Sequence, residues 1–255
     1  MKKLIVSCLA FVTMLPFAFV IGCNSSTGTM PGVPTATATP GTYTLLQPIQ
    51  QPMVLLASAA NYAVLSYAGI TNSGATTVCG SLGTYPSASV DGGIQVICGG
   101  VREVATGNAN TAKTDLGYAY TDAAGRTGGA IIPAGGNIAG QTLYRGLYTC
   151  GGNLNVASGD LTLDGLGDAN AVFIFQVTGN LVAGPGAKVI LTNSAQADHV
   201  FWQVTGFCSL DTTVRFVGNV MVYQAVTMNT GARLEGRALA KTQNVTFLAN
   251  QITFP

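Results

Sequence analysis

The sequence predicts a mainly β protein, a β-solenoid of three strands per coil with one long α-helix packed alongside. Three observations carry this. Short alternating strands recur in register over the C-terminal hundred residues, a third strand in most recurrences is apolar on both faces, and one helical stretch is available to cover it.

Five segments align: Asn153–Val156 with Asp160–Leu163, Asn180–Ala183 with Lys188–Leu191, Phe207–Leu210 with Arg215–Gly218, Ala225–Met228 with Arg233–Gly236, and Asn244–Phe247 with Gln251–Phe254. Their second residues, Leu154, Leu181, Cys208, Val226 and Val245, stand 27, 27, 18 and 19 residues apart. Each segment is two period-2 strands around a Gly, Asn, Asp or Thr turn. A coil this short cannot bury its own face, so stacked coils must make the core. A β-sandwich would show similar turn spacing but no column-by-column register.

Alternation assigns the columns. Leu154, Leu181, Cys208, Val226 and Val245 point inward, as do Leu161, Val189, Phe216, Leu234 and Ile252. Asn155, Val182, Ser209, Thr227 and Thr246 form one outward ladder, with coils about 4.8 Å apart. Asp160, Lys188, Arg215, Arg233 and Gln251 form a second.

The third strands are Val172–Gln176, Val200–Gln203, Val220–Gln224 and Ala238–Lys241. Apolar on both faces, they need an outer cover. Asn108 to Arg126 supplies it: Ala109, Ala112, Leu116, Ala119 and Ala123 make a narrow stripe at helical spacing, and the alanines allow close approach. Gly128-Gly129 and Pro133 are the stop signals.

Composition narrows the function. Of 255 residues, 48% are hydrophobic, 8% charged and 33 glycine, against about 25% charged and about 7% Gly in ordinary domains. A net charge of +1 gives no electrostatic footprint for nucleic acid. A single His and a single Trp leave little for acid–base chemistry or metal binding. Asp160, Asp164 and Asp168 are the only acidic cluster; Asp164 and Asp168 read as turn residues that cap backbone groups, and His199 as a strand-edge residue. No Ser/His/Asp motif, phosphate loop or CxxC pair is present. The expectation is a non-catalytic protein with no cofactor and no metal.

Lys2 and Lys3 precede the apolar run Leu4–Ile21, the pattern of a secretory signal. The run ends Val20-Ile21-Gly22-Cys23, which resembles a bacterial lipobox, so residues 1–22 are expected to be a lipoprotein-type signal peptide and Cys23 the lipidated residue. Residues 23–54, rich in Thr, Pro and Gly, then read as an extended tether, and 55–255 as the folded domain. The expected location is the cell envelope, as an exported, membrane-anchored lipoprotein. Cys79, Cys98, Cys150 and Cys208 remain for up to two disulfides with three connectivities. Cys150 and Cys208 lie two coils apart, about 9.6 Å of rise, beyond the roughly 7 Å reach of a bridge. That disfavours their pairing and makes Cys79–Cys98 the candidate.

From about Leu56 to Pro255 the chain resembles the microbial ice-binding protein family. The carriers are Ala59–Leu65, Gly69–Asn72, Gly80–Gly83, Ala112–Leu116 with Tyr120–Arg126, Gly146–Tyr148, Asp168–Gln176, Val200–Val204, Asn229–Ala232 with Gly236–Leu239, and Ile252–Pro255. Their order and joint spacing are specific. The resemblance implies a right-handed β-helix of triangular section, an N-terminal coil packed on the last one, and adsorption to ice through one flat face without catalysis. It also implies Thr-(Ala/Gly)-X-(Thr/Asn) motifs on that face. Thr230-Gly231-Ala232 keeps the first half, but Arg233 fills the fourth position, as Arg215 follows Thr212-Thr213 and Lys188 follows Pro185-Gly186-Ala187. Long, mobile, hydrated cations there imply weak adsorption. The expected ice-contacting residues are Ser209, Thr212, Thr227, Thr230 and Thr246, in a monomer. The alternative is a surface adhesin or envelope module that binds an extracellular polymer through Lys188, Arg215 and Arg233.

Overall fold

The computed structural model describes residues 49–254. The expected signal segment, Cys23 and the tether up to residue 48 lie outside the described residues. Among the described residues no helix is long and apolar enough to cross a membrane.

The chain forms a parallel β-solenoid of three faces. The first face is a six-stranded sheet running Leu154–Val156, Leu181–Ala183, Cys208–Leu210, Val226–Met228, Val245–Leu248 and Ile70–Ser73. Its register pairs Leu154 with Leu181, Leu181 with Cys208, Cys208 with Val226 and Val226 with Val245, as the alternation predicts. The second face stacks Thr142–Tyr144, Asp160–Asp164, Lys188–Thr192, residues 215–217, residues 233–235, Gln251–Thr253, Thr76–Cys79 and Ile94–Ile97. The third runs from Ala130–Ile132 through Gly146–Cys150, Phe173–Val177 and Val200–Val204 to residues 218–222, 236–240 and Tyr62–Ser66. Inward residues of all three faces merge into one apolar core.

The N-terminal coils stack on the last coil. Val64 pairs with Ala238, Thr71 with Thr246 and Val78 with Ile252. The helix, Gly107–Gly125, then returns the chain along the third face to the far end. Nineteen residues at about 1.5 Å each span about 28 Å, and the strands beneath cover five steps of about 4.8 Å, or about 24 Å. The helix is therefore as long as the journey requires.

Thr106 caps the helix, its hydroxyl accepting from the Ala109 amide at 3.2 Å. The helix starts and ends one residue earlier than the expected 108–126: Arg126 is already extended, so the turn comes before Gly128-Gly129. Ala109, Ala112, Leu116, Ala119 and Ala123 are buried as predicted, with Tyr120 beside them. Ala112, Leu116, Ala119, Tyr120 and Ala123 close over Leu65, Leu147, Ile174, Phe201, Met221 and Leu239, together with Val54 and Leu56. Arg126 bonds the Pro52 carbonyl at 3.0 Å, and Val54, which composition places at the end of the tether, is only 1% exposed. The packed body therefore begins slightly before residue 55, because Val54 finds an apolar seat on the helix.

The helix-facing side of the third sheet is less apolar than expected. Gln176, Gln203, Asn219 and Arg237 are buried there. Gln176 Nε2 donates to the carbonyls of Ala123 (2.8 Å) and Arg126 (2.7 Å), satisfying groups that a helix C-terminus leaves open. Arg237 donates to Asn219 Oδ1 at 2.7 Å and to the Ala60 carbonyl at 3.1 Å. Gln176, Asn219 and Arg237 are thus buried with hydrogen-bond partners.

The coils come in two widths. In the 27-residue coils, loops that include residues 165–172 and 193–199 turn the corner between the second and third faces. In the shorter coils the two strands expected there fuse into single eight-residue strands, Arg215–Val222 and Arg233–Ala240. Gly218 (φ 111) and Gly236 (φ 143) make those corners. A Cβ on Gly236 would lie 2.1 Å from the Gly218 carbonyl oxygen, so only glycine allows the two coils to meet. One inward column follows the change of width: Tyr148, Phe175 and Trp202 in the wide coils, then Val220, Ala238 and Val64. Phe175 and Trp202 stack at 4.0 Å, and Trp202 Nε1 donates to the Val217 carbonyl at 2.9 Å. Wider loops enclose more volume, and aromatic rings fill it at native density.

Candidate binding faces

The helix covers the third face, which leaves two faces of contrasting chemistry. On the six-stranded face the strands from Leu154–Val156 to Val245–Leu248 each project an outward side chain between two buried neighbours, and Thr71 of Ile70–Ser73 continues the line. Those side chains align as Asn155, Val182, Ser209, Thr227, Thr246 and Thr71. Asn155 through Thr246 are all half-buried, so the surface is level, and no member of the column is charged. Inward neighbours such as Leu181, Leu210 and Met228 are fully buried and pin the strands. Thr71 Oγ1 donates to Thr246 Oγ1 at 2.9 Å, and Asn244 Nδ2 donates to the same Thr246 oxygen at 2.9 Å. Along one edge, Asn153 Oδ1 accepts from the Asn180 amide and Asn180 Oδ1 from the Phe207 amide, at 2.9 and 3.1 Å. These bonds hold the corner to one repeat distance.

The structure thus brings Ser209, Thr227 and Thr246 into one ladder. Thr212 and Thr230 occupy equivalent exposed positions on the corner beyond it, with the Gly186 amide donating to the Thr212 carbonyl and the Thr213 amide to the Thr230 carbonyl. Thr71 extends the ladder, a place that the C-terminal repeats do not assign it. Its signal was the alternating Ile70-Thr71-Asn72, but nothing local assigns that coil a place beside residue 246.

The second face carries Lys188, Arg215, Arg233, Gln251, Thr77 and Gln95 in one outward column. Lys188 Nζ lies 3.6 Å from Asp160 Oδ2. Arg215 and Arg233 are exposed, and among the described residues neither has a carboxylate within 4.0 Å. A groove of about 430 Å³ runs between these strands. The cations stand around a corner from the Ser/Thr ladder and do not interrupt it.

The remaining candidates have local roles. Asp168 pairs with Arg145 at 2.6 Å, Asp164 accepts from the Leu166 amide at 2.8 Å, and His199 ends a short 3-10 turn. Among the described residues no group of three or more His, Cys, Asp or Glu is placed to hold a metal. Cys79 and Cys98 form a disulfide with Cα atoms 5.0 Å apart, while Cys150 and Cys208 are buried thiols. Burial pushes the Cys208 thiol far above its ordinary pKa. On the helix, Lys113 Nζ donates to the carbonyls of Ala240 (2.5 Å) and Lys241 (2.9 Å). Burial, and then the Lys241 charge, bring its pKa down to about 7.

A parallel β-solenoid closed by its own helix, with one level and uncharged face left open, defines a class of surface-presenting scaffold. Within that class the chain belongs to the ice-binding-like family, whose profile matches residues 64–253. It is 35% identical over 216 residues to an ice-binding protein of Flavobacterium frigoris (strain PS1), covering 80% of this chain and 77% of the relative. With Ice-binding protein 1 of Shewanella frigidimarina (strain NCIMB 400) it shares 38% identity over 149 residues, 56% of this chain but only 16% of that longer protein. The crystal structure of an ice binding protein from an Antarctic biological consortium matches with a TM-score of 0.79 at 40% identity, covering 83% of this chain and 96% of that one.

Proposed function

We propose that this protein is a non-catalytic, envelope-tethered ice-binding protein that adsorbs as a monomer through the six-stranded face. The contacting residues are Ser209, Thr227, Thr246 and Thr71, with Thr212 and Thr230 at the corner. One observation carries the reading: of the two faces the helix leaves open, only this one is level, regular and uncharged. Threonine is short and stiff at χ1, so its hydroxyl and methyl stay at fixed spacing and little side-chain entropy is lost on contact with a crystal. Lysine and arginine would bring mobile, strongly hydrated charge to the same contact. Family membership and the named activity of the relatives support the substrate.

Ice-affinity partitioning and crystal shaping test the face. Thr227→Tyr, which raises a ring from the centre of the ladder, is expected to abolish shaping while the melting temperature holds. Unchanged shaping by that variant would remove this face from consideration. Tethering is supported by Lys2, Lys3, the following apolar run and Cys23, and export by the Cys79–Cys98 disulfide. Incorporation of labelled palmitate, lost in Cys23→Ala, is the expected result. Label retained in that variant would contradict Cys23 as the anchor.

A further inference from the structure

We infer that the second face holds a separate binding site for an acidic polysaccharide, a polyuronate, centred on Arg215 and Arg233. The first support is electrostatic. Arg215 and Arg233 are direct partners in adjacent parallel strands, and Lys188 pairs with Arg215 on the other side. Like charges placed directly opposite are unfavourable. Asp160 relieves Lys188, but among the described residues neither arginine has a carboxylate within 4.0 Å. Two guanidiniums one coil apart, each a planar fork of donors, are placed to donate to carboxylate oxygens.

The second support is the groove in which they stand. Its volume is about 430 Å³, and its lining includes Ile190, Val217, Glu235, Gln251 and Thr253 beside the cations. Ile190 is 37% exposed, an apolar patch suited to the flat side of a sugar ring. Gln251 and Thr253 supply neutral donors and acceptors suited to hydroxyls. The cations recur once per coil, about 4.8 Å apart, which fits a chain carrying spaced single charges. Glu235 in the same groove opposes a densely charged phosphate polymer, and the protein's net charge of +1 gives no long-range field toward nucleic acid. Several weak carboxylate contacts along one polymer add through their shared tether.

The site is independent of the Ser/Thr ladder, so the two readings can fail separately. Full-length protein in detergent is passed over immobilised alginate, neutral dextran and duplex DNA at rising salt. Retention on alginate that falls with salt, with none on dextran, is expected. Arg215→Gln with Arg233→Gln is expected to weaken alginate binding at least about tenfold, with unchanged melting and unchanged ice shaping. Arg215→Lys with Arg233→Lys is expected to restore part of the binding. Thr227→Tyr is expected to keep alginate binding in full. No retention at low salt, equal retention on dextran, equal or tighter retention on DNA, or a double Gln variant that binds like the parent would each overturn the proposal.

Discussion

The wide and narrow coils solve the same closure problem with different chemistry. The 27-residue coils spend a loop on the corner between the second and third faces and fill the extra space with Tyr148, Phe175 and Trp202. The shorter coils spend one glycine on that corner and need only Val220 and Ala238 inside. Loop length and core volume therefore vary together, coil by coil, while the ladder on the six-stranded face keeps one register through both kinds. Variation in width is absorbed away from the surface that must stay regular.

Substitutions can break this comparison at graded cost. Trp202→Ala should be the most damaging, about 3–5 kcal/mol by chemical unfolding. Val220→Ala, its neighbour in the narrow coil, should cost about 2 kcal/mol at about 0.8 per methylene. Similar losses at the two sites would mean that the wide coils collapse around the missing indole.

Gly236→Ala should cost about 2–4 kcal/mol, since backbone strain and steric overlap act together. Gly167→Ala, in a wide-coil loop at φ 81 with nothing within 4 Å of the new Cβ, should lose only about 1 kcal/mol. Melting temperatures of the pair measure how much more the glycine corner demands than the loop corner.

The helix sharpens the contrast, because an amide ties it to the wide coils and an ammonium to the narrow ones. Gln176→Leu leaves the carbonyls of Ala123 and Arg126 without that donor and should cost about 1–3 kcal/mol. Faster amide exchange in the last helical turn would localise the loss.

At the other tie, the pKa of Lys113 is about 7 when folded and about 10.4 when unfolded. Between those values the unfolded chain binds more protons, so stability rises with pH. The step from pH 7 to pH 8 should add about 1 kcal/mol. Lys113→Met should flatten that slope, and an unchanged slope would mean that another group sets it.

The C-terminal registers were legible in the sequence because alternation and turn residues repeat at fixed offsets. Local periodicity fixed the inward residues, the Ser209, Thr227 and Thr246 ladder and the Lys188, Arg215 and Arg233 column. The fused strands left only an indirect trace, the fall in spacing from 27 to 18 residues between Cys208 and Val226. Gln176 ends one predicted apolar strand, and Asn219 and Arg237 stand just before two others; their buried roles depend on partners in distant segments that no strand pattern reveals. Thr71 was invisible for the same reason, since its place depends on a neighbour 175 residues away.

That distance bears on how the molecule is made. The last coil lies between the coil before it and the N-terminal coils, so the first strands to leave the ribosome wait for the final ones. Until residues 245–253 emerge, the undersides of Ile70 and Val78 have no coil to rest on. Contacts of such long sequence separation slow folding. A nascent chain stalled before residue 245 would carry an open edge at both the early and the late coils, so residues 245–253 act as a keystone rather than a tail.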